Sequence, residues 1–168
     1  MAWVNRLMSK ELTRAKRELW WFGWRYIPLI GFCSPQIRDM TPTSLAISMP
    51  HSWRTKNHLG SIYFGALAIG ADLAGAFLVF SKAKARGVNA NFAFKDVQGE
   101  FLKRPEAEVW FRSDDGALID QMLDESLASG QRINKTVAVT ITCPSLHGDE
   151  PMALFKLTLS IKATRKNR

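Results

Sequence analysis

Asp72 stands in the run NHLGSIYFGALAIGADLAGAF, residues 57–77, and is the one charged residue between Leu59 and Phe77. A carboxylate buried without a partner is costly, so it has either a structural partner or a chemical task. In an apolar site its pKa rises, and it becomes a usable general base. A second chemical feature precedes it. Backbone N–H groups point out of a helix N-terminus, and the helix dipole adds positive potential there. A helix starting within Gly60–Gly65 therefore offers donors to a developing oxyanion. Tyr63 or Phe64 to Asp72 spans about 12–13 Å along one helix, too far for one carbonyl carbon to touch both. Two such helices running antiparallel across a two-fold axis would bring the acid of one chain to the helix start of the other. If Asp72 works with this N-terminus, the protein is at least a dimer.

The helix that must carry these groups is read from about Ser61 to Phe80, with basic residues and Gly87 as its stop. At about 100° per residue the face of Asp72 carries Gly65, Ala68, Ile69, Gly75 and Ala76. Ile62, Tyr63, Leu67, Leu73, Phe77, Leu78 and Phe80 fall on other faces. A stripe of small side chains leaves room for a ligand or for another backbone. A structural reading of Asp72 stands beside the chemical one: a bond to a neighbouring backbone N–H or to a core arginine. Leu59–Phe80 is also long enough to span a bilayer. The amphipathic strands that follow need a core, however, and this helix is the best candidate to fill it.

Around it the elements read as follows. Residues 1–27 form a basic, aromatic amphipathic helix, with Val4, Leu7, Met8, Leu12, Ala15, Leu19 and Phe22 at helical spacing. A Trp-rich basic helix can lie on a membrane surface or pack across its own domain. Pro28, Pro35 and Pro42 mark a broken, extended stretch holding an irregular first strand, GFCSPQIRDM. TSLAISM is expected to be half-buried, Leu45, Ile47 and Met49 inward. Further strands are read in NANFAFKDV, AEVWFRS, INKTVAVTI and FKLTLSIKA, with a short helix from Asp114 to Ser129 ended by Gly130. Short connections favour an antiparallel sheet, and a helix apolar all round suggests that the sheet wraps it. One domain is expected over 28–163, with a frayed basic tail at 164–168.

The chain of 168 residues is 46% hydrophobic with a net charge of +8. That suits one domain with a real core and polyanionic partners: nucleic acid, acidic lipid or a phosphorylated ligand. The cations are spread along the chain without a stacking or helix-turn-helix motif, so nucleic acid is not expected. Cys33 and Cys143 lie far apart, and His51, His58 and His147 are scattered, so no metal is expected. No apolar secretory segment is read at the N-terminus, and a cytoplasmic location is the expectation. Gly65–Gly70 has the glycine spacing of a P-loop, but Ala71 and Asp72 stand where Lys and Ser/Thr are needed.

The stretch Asn57-His58-Leu59-Gly60-Ser61-Ile62-Tyr63-Phe64-Gly65 resembles the N/Q-x-x-G-x-x-H-G-G signature of the PaaI-like branch of the hotdog-fold acyl-CoA thioesterase superfamily. Asp72 follows Tyr63 by nine residues, where that branch has its acid. The run NHLGSIYFGALAIGADLAG and the segment from Asp114 to Gly130 resemble the DUF4442 group more closely still. The resemblance implies an α+β hotdog fold, an antiparallel sheet wrapped around a long central helix, paired into a homodimer or a dimer of dimers. It places Asp72 on the catalytic acid of thioester hydrolysis, Asn57 on the residue orienting water or substrate, and the Phe64 backbone N–H on the carbonyl. Tyr63 replaces the histidine and Phe64 the first glycine of the pair. The expected substrate is a thioester of coenzyme A or acyl carrier protein, with no separate cofactor. Tyr63, Gly65, Ala68 and Ile69 would contact the substrate, and Lys95, Lys103 and Arg104 are candidates for the coenzyme A phosphates. A non-catalytic acyl-CoA or fatty-acyl binder is the alternative, and peripheral membrane contact through residues 1–27 a further expectation.

Overall fold

The computed structural model describes residues 2–166, with side chains from Leu12 onward. In chain order it contains α1 (Ala2–Arg25), α2 (Pro28–Cys33), β1 (Gln36–Met40), β2 (Leu45–Met49), α3 (Phe64–Ala85), β3 (Val88–Phe101), β4 (Val109–Ser113), α4 (Gly116–Ser129), β5 (Ile133–Thr142), α5 (Pro144–His147) and β6 (Pro151–Arg165). The six strands form one sheet in the order β1-β2-β4-β5-β6-β3, and all five pairings are antiparallel. α3 packs against β2, β3, β4, β5 and β6, so the sheet curls around it. This is the α+β arrangement expected from an all-apolar helix among one-face-apolar strands. By length and hydropathy α3 could cross a membrane, but most of its apolar window is buried under the sheet.

Period-two alternation supplies the core. Val137, Val139 and Ile141 of β5 and Phe155, Leu157, Leu159 and Ile161 of β6 all turn inward and are buried. The register pairs Val137 with Leu157 and Val139 with Phe155, so the two inward sets lie side by side. α4 adds Ile119, Met122 and Leu123, and ends where Gly130 takes φ 67°, the left-handed cap its sequence signals. The basic last turn of α3 is tied down by the acids of α4: Lys82 Nζ donates to Asp120 Oδ2 at 2.6 Å, and Arg86 reaches Asp120 at 2.5 Å and Asp124 at 2.7 Å. Lys84 pairs with Glu18 of α1.

The small residues of α3 are where its neighbours come closest. A Cβ on Gly70 would lie 2.2–2.5 Å from ring atoms of Phe111, and one on Gly75 would meet Val137 at 3.3 Å and Phe94 at 3.4 Å. Of the stripe read around Asp72, Gly75 is thus closed by sheet side chains, while Gly70 lies on another face. Gly70→Ala is expected to cost about 1–3 kcal/mol through overpacking, although alanine is the better helix former. Adding Phe111→Leu should make the pair less destabilised than the sum of the singles. Urea unfolding of the four proteins tests this, and additivity would show that ring and backbone do not compete.

Several boundaries differ from the sequence reading. Residues 28–33 are helical, because Pro28 sits at the first turn where its missing N–H costs nothing; the first strand is confined to Gln36–Met40. α3 begins at Phe64 and not Ser61, and runs on to Ala85. β2 is buried on both faces. Its outward Ser48 pairs in register with Trp110, and Ala46 with Arg112; Arg38 donates to Ser48 Oγ at 2.8 Å. Long side chains of the flanking strands thus cover the small ones. β3 extends to Phe101, and β6 holds Thr164 and Arg165 in register with Asn89 and Val88, so these two tail residues are not frayed. Val4, Leu7 and Met8 lie outside the described side chains, and Asn167 and Arg168 outside the described residues. α1 and α2 meet backbone to backbone: a Cβ on Gly23 would lie 3.0 Å from the Gly31 nitrogen.

Candidate functional site

The loop from Pro50 to Tyr63 builds the start of α3. Asn57 Oδ1 accepts from the Leu59 N–H at 2.9 Å, the Ser61 N–H at 3.2 Å and the Ser61 hydroxyl at 3.3 Å. This is an Asx turn, and Gly60 within it takes φ 80°. His51 Nε2 donates to the Gly60 carbonyl at 2.6 Å. The buried Thr55 hydroxyl donates to Pro50 O at 2.6 Å and accepts from the Ser52 N–H at 3.0 Å. The chain is then pinned by Tyr63 N–H to Thr55 O at 2.7 Å and Ile62 N–H to Pro105 O at 2.8 Å. His51 and Thr55 carry this scaffold without any signal in the sequence, since their partners are backbone groups.

Asn57 therefore has a structural task for its oxygen, while its amide N–H₂ has no acceptor among the described residues. Asn57→Ala should cost about 1–2 kcal/mol by unmaking the turn. Asn57→Asp keeps the acceptor and should keep the stability. Thermal melts of both variants check the assignment; equal losses would mean that the acceptor is not what matters.

This scaffold leaves the helix start open. Tyr63 is the N-cap residue, in extended conformation at φ −67°, ψ 138°, and makes no capping bond with its side chain. The first intrahelical donors are Ala66 and Leu67, both to Tyr63 O. Among the described residues the N–H groups of Phe64 and Gly65 have no acceptor. The Tyr63 and Phe64 rings meet edge to face at 4.8 Å between centroids, and both are half exposed. The Tyr63 ring lies over Gly65, where a Cβ would come within 2.4 Å of it. A side chain at Gly65 would therefore displace the half-exposed Tyr63 ring.

Two turns further along α3, half-buried Asp72 has no hydrogen-bond or ion-pair partner among the described residues. Burial pushes its carboxyl pKa above the ordinary value. It lines a cavity of about 410 Å³ whose walls are Leu73, Ala76, Phe77 and Phe80 of α3, Phe92, Ala93 and Phe94 of β3, Phe22 of α1, and Ile27 between α1 and α2. A cavity of this size, apolar with one polar group, has the make-up of a small-molecule site. Of the stripe read from the helical wheel, Ala76 faces this cavity. Gly65, Ala68 and Ile69 lie nearer the helix start and are not among its walls. The aromatic wall was legible as inward positions of α1 and β3, but the meeting of those elements was not.

The three candidate cations do not converge. Lys95 is exposed beside the bulge in β3 between Phe94 and Val97. Lys103 and Arg104 follow the far end of that strand, beyond Phe101, about 20 Å away. Both border a shallow depression with Phe101, Leu102, Glu106 and His147. Lys103 is paired with Glu150 at 2.5 Å, an exposed bond that holds the Glu150 carboxyl below its usual range.

No protein-family model and no curated protein matches the chain in sequence. Solved structures do match in shape. A protein of unknown function from Chlorobaculum tepidum superposes with a TM-score of 0.78 at 14% identity, over 90% of this chain and 96% of that one. A Pseudomonas aeruginosa protein described as of unknown function and a probable thioesterase gives 0.72 at 17% identity, over 88% and 95%. A thioesterase from Haemophilus influenzae gives 0.59 at 16% identity, over 79% and 80%. At such identities the likeness carries the fold alone, and that fold is the hotdog fold, an antiparallel sheet wrapped around a long helix.

Proposed function

We propose that the chain hydrolyses an acyl thioester of coenzyme A or of acyl carrier protein. The observation that carries this reading is the unpartnered Asp72 carboxylate, raised in pKa, on the wall of an otherwise apolar cavity. In this mechanism the thioester carbonyl accepts from the Phe64 N–H, which polarises it. Asp72 takes a proton from water as the water oxygen bonds to the carbonyl carbon. The tetrahedral intermediate then expels the thiolate, which recovers the proton from Asp72, leaving a carboxylic acid and a free thiol. Alternatively, Asp72 attacks the carbon itself and expels the thiolate as the C–S bond breaks; water then hydrolyses the anhydride, restoring the Asp72 carboxylate, releasing the carboxylic acid and giving its proton to the thiolate. Asn57 orients the water through its free N–H₂. Tyr63, Gly65, Ala68 and Ile69 border the approach, and Lys95, Lys103 and Arg104 are the cations offered to phosphate.

The two groups lie on one helix about 12 Å apart, so the site is completed by a second copy. β3 is an edge strand of the sheet, and Val97, Phe101 and Leu102 stand exposed on or beside it. A long apolar edge of this kind is a template for pairing with another strand. A homodimer built through this edge, or a dimer of dimers, supports the shared site.

A second reading, a non-catalytic acyl-CoA or fatty-acyl binder, is favoured by the bulk of Tyr63 and Phe64 at the helix start. A thiol-release assay over acyl-CoAs of increasing chain length separates the two. Release of thiol supports the hydrolase. Thermal stabilisation by acyl-CoA without released thiol supports the binder, and neither result would remove both.

A further inference from the structure

The outward face of α1 has the wrong composition for a helix turned to water. Its inner side is closed by Ala15, Leu19 and Gly23, all buried. Opposite them Trp20, Trp21 and Trp24 are each more than half exposed. α2 and the loop after β2 continue the surface with Leu29, Phe32 and Trp53, the last 74% exposed. The rings join up: Trp21 meets Tyr26 edge-on at 5.1 Å, Phe32 meets Trp53 at 5.7 Å, and Trp24 lies against Gly31. Soluble monomers rarely expose so continuous an apolar surface without a use for it.

The charges around it have one sign. Arg14, Lys16, Arg17 and Arg25 occupy the exposed side of α1. The Arg25 guanidinium sits 5.7 Å from the Tyr26 ring centre, and that of Arg54 lies 5.8 Å from Phe32 and 6.0 Å from Trp53. Glu18, the one acid among the described side chains of α1, is held by Arg14 and Lys84. A second copy docking by the same patch across a two-fold axis would set these cations against themselves. An anionic surface would not.

We propose that the face formed by α1, α2 and Trp53 docks on an anionic lipid bilayer. Tryptophan and tyrosine pair an apolar body with an N–H or O–H, which suits the headgroup zone, and the arginines and Lys16 meet the lipid phosphates. The surface also opens inward. A cleft of about 870 Å³ bordered by Trp20, Trp21, Tyr26 and Lys84 shares Phe22, Ile27 and Phe80 with the cavity of Asp72. The docking itself is independent of thioester hydrolysis.

Co-sedimentation of the full chain with phosphatidylcholine vesicles and with mixed phosphatidylcholine–phosphatidylglycerol vesicles tests it. The wild type should bind the anionic vesicles at least tenfold more strongly than the neutral ones. Trp20→Ser with Trp53→Ser, and separately Arg17→Glu with Arg25→Glu, should each reduce that binding about tenfold or more. Their thermal melts and their hydrolysis of a short, water-soluble acyl-CoA should remain unchanged. Failure of the hydrolase reading would instead appear as an inactive wild type that still binds vesicles. Equal binding to both vesicle types, or to neither, would overturn the proposal. So would tryptophan variants that change the mass in solution while leaving vesicle binding intact, since the patch would then join copies of the chain.

Discussion

Asp72→Asn is expected to lower thioester turnover by about 10²–10⁴-fold and at the same time to make the fold more stable at neutral pH. Asparagine keeps the shape of the side chain but cannot accept the proton or attack carbon. The stability gain follows from the cause of the pKa shift. Burial raises the Asp72 carboxyl above its ordinary value, so the folded chain holds this proton more tightly than the unfolded one. The contribution is fully present below the unfolded pKa of about 3.9. It is lost as pH rises through the raised folded pKa, leaving wild type at a deficit above it. The neutral variant has no such titration. Its advantage in melting temperature should therefore grow with pH across that window and then level off. Wild-type kcat/KM should climb with pH through the same raised pKa as the base ionises. Turnover and melting temperature measured at several pH values give both profiles. An active asparagine variant would remove Asp72 from the chemistry, and a pH-independent stability difference would mean that its carboxylate is not desolvated.

Phe64→Pro is expected to cost about 10²–10³-fold in turnover without unfolding the protein. Proline removes the N–H assigned to the thioester carbonyl, together with the half-exposed ring that meets Tyr63. The Phe64 N–H has no acceptor among the described residues, and the first position of a helix tolerates proline well. Tyr63 before it is already extended at φ −67°, ψ 138°, the conformation a following proline demands. Phe64→Ala is the control: it trims the ring, keeps the N–H, and should retain far more activity. If, as proposed, a site takes its acid from one chain and its N–H from the other, Phe64→Pro protomers mixed with Asp72→Asn protomers should regain activity. Each mixed dimer holds one intact site. If mixing restores nothing while each variant remains folded and dimeric, the site lies within one chain and the antiparallel arrangement of helices fails.

The sequence was most legible where one physical rule acts alone. β5 and β6 alternate because one face of each is core, and the inward residues could be named singly. α4 ended at Gly130 because only a residue free to take positive φ closes that turn cheaply. It was least legible where an element's environment comes from distant partners. β2 reads as half-buried, yet Trp110 and Arg38 close its second face. The strand read in NANFAFKDV stops at Val97, yet residues 98–101 continue β3 by pairing with β6. The helix start moved from Ser61 to Phe64 because the Asx turn of Asn57 holds the preceding residues out of the helix. Asp72 itself was legible as an isolated charge. Its cavity was not, because Phe22, Ile27 and Phe94 reach it from three separate segments.

The contact between Gly23 and Gly31 leaves almost no gap between α1 and α2, and Lys84 clamps Glu18 from the other side. The amphipathic segment is therefore bolted to the body and not tethered to it. Anything that seizes the tryptophans fixes the attitude of the whole molecule, and with it the direction in which the mouth above Asp72 points. Alanine at Gly31 would need no new chemistry to disturb this. By pressing on the Trp24 ring and the Gly23 backbone it would shift the aromatic face against the body.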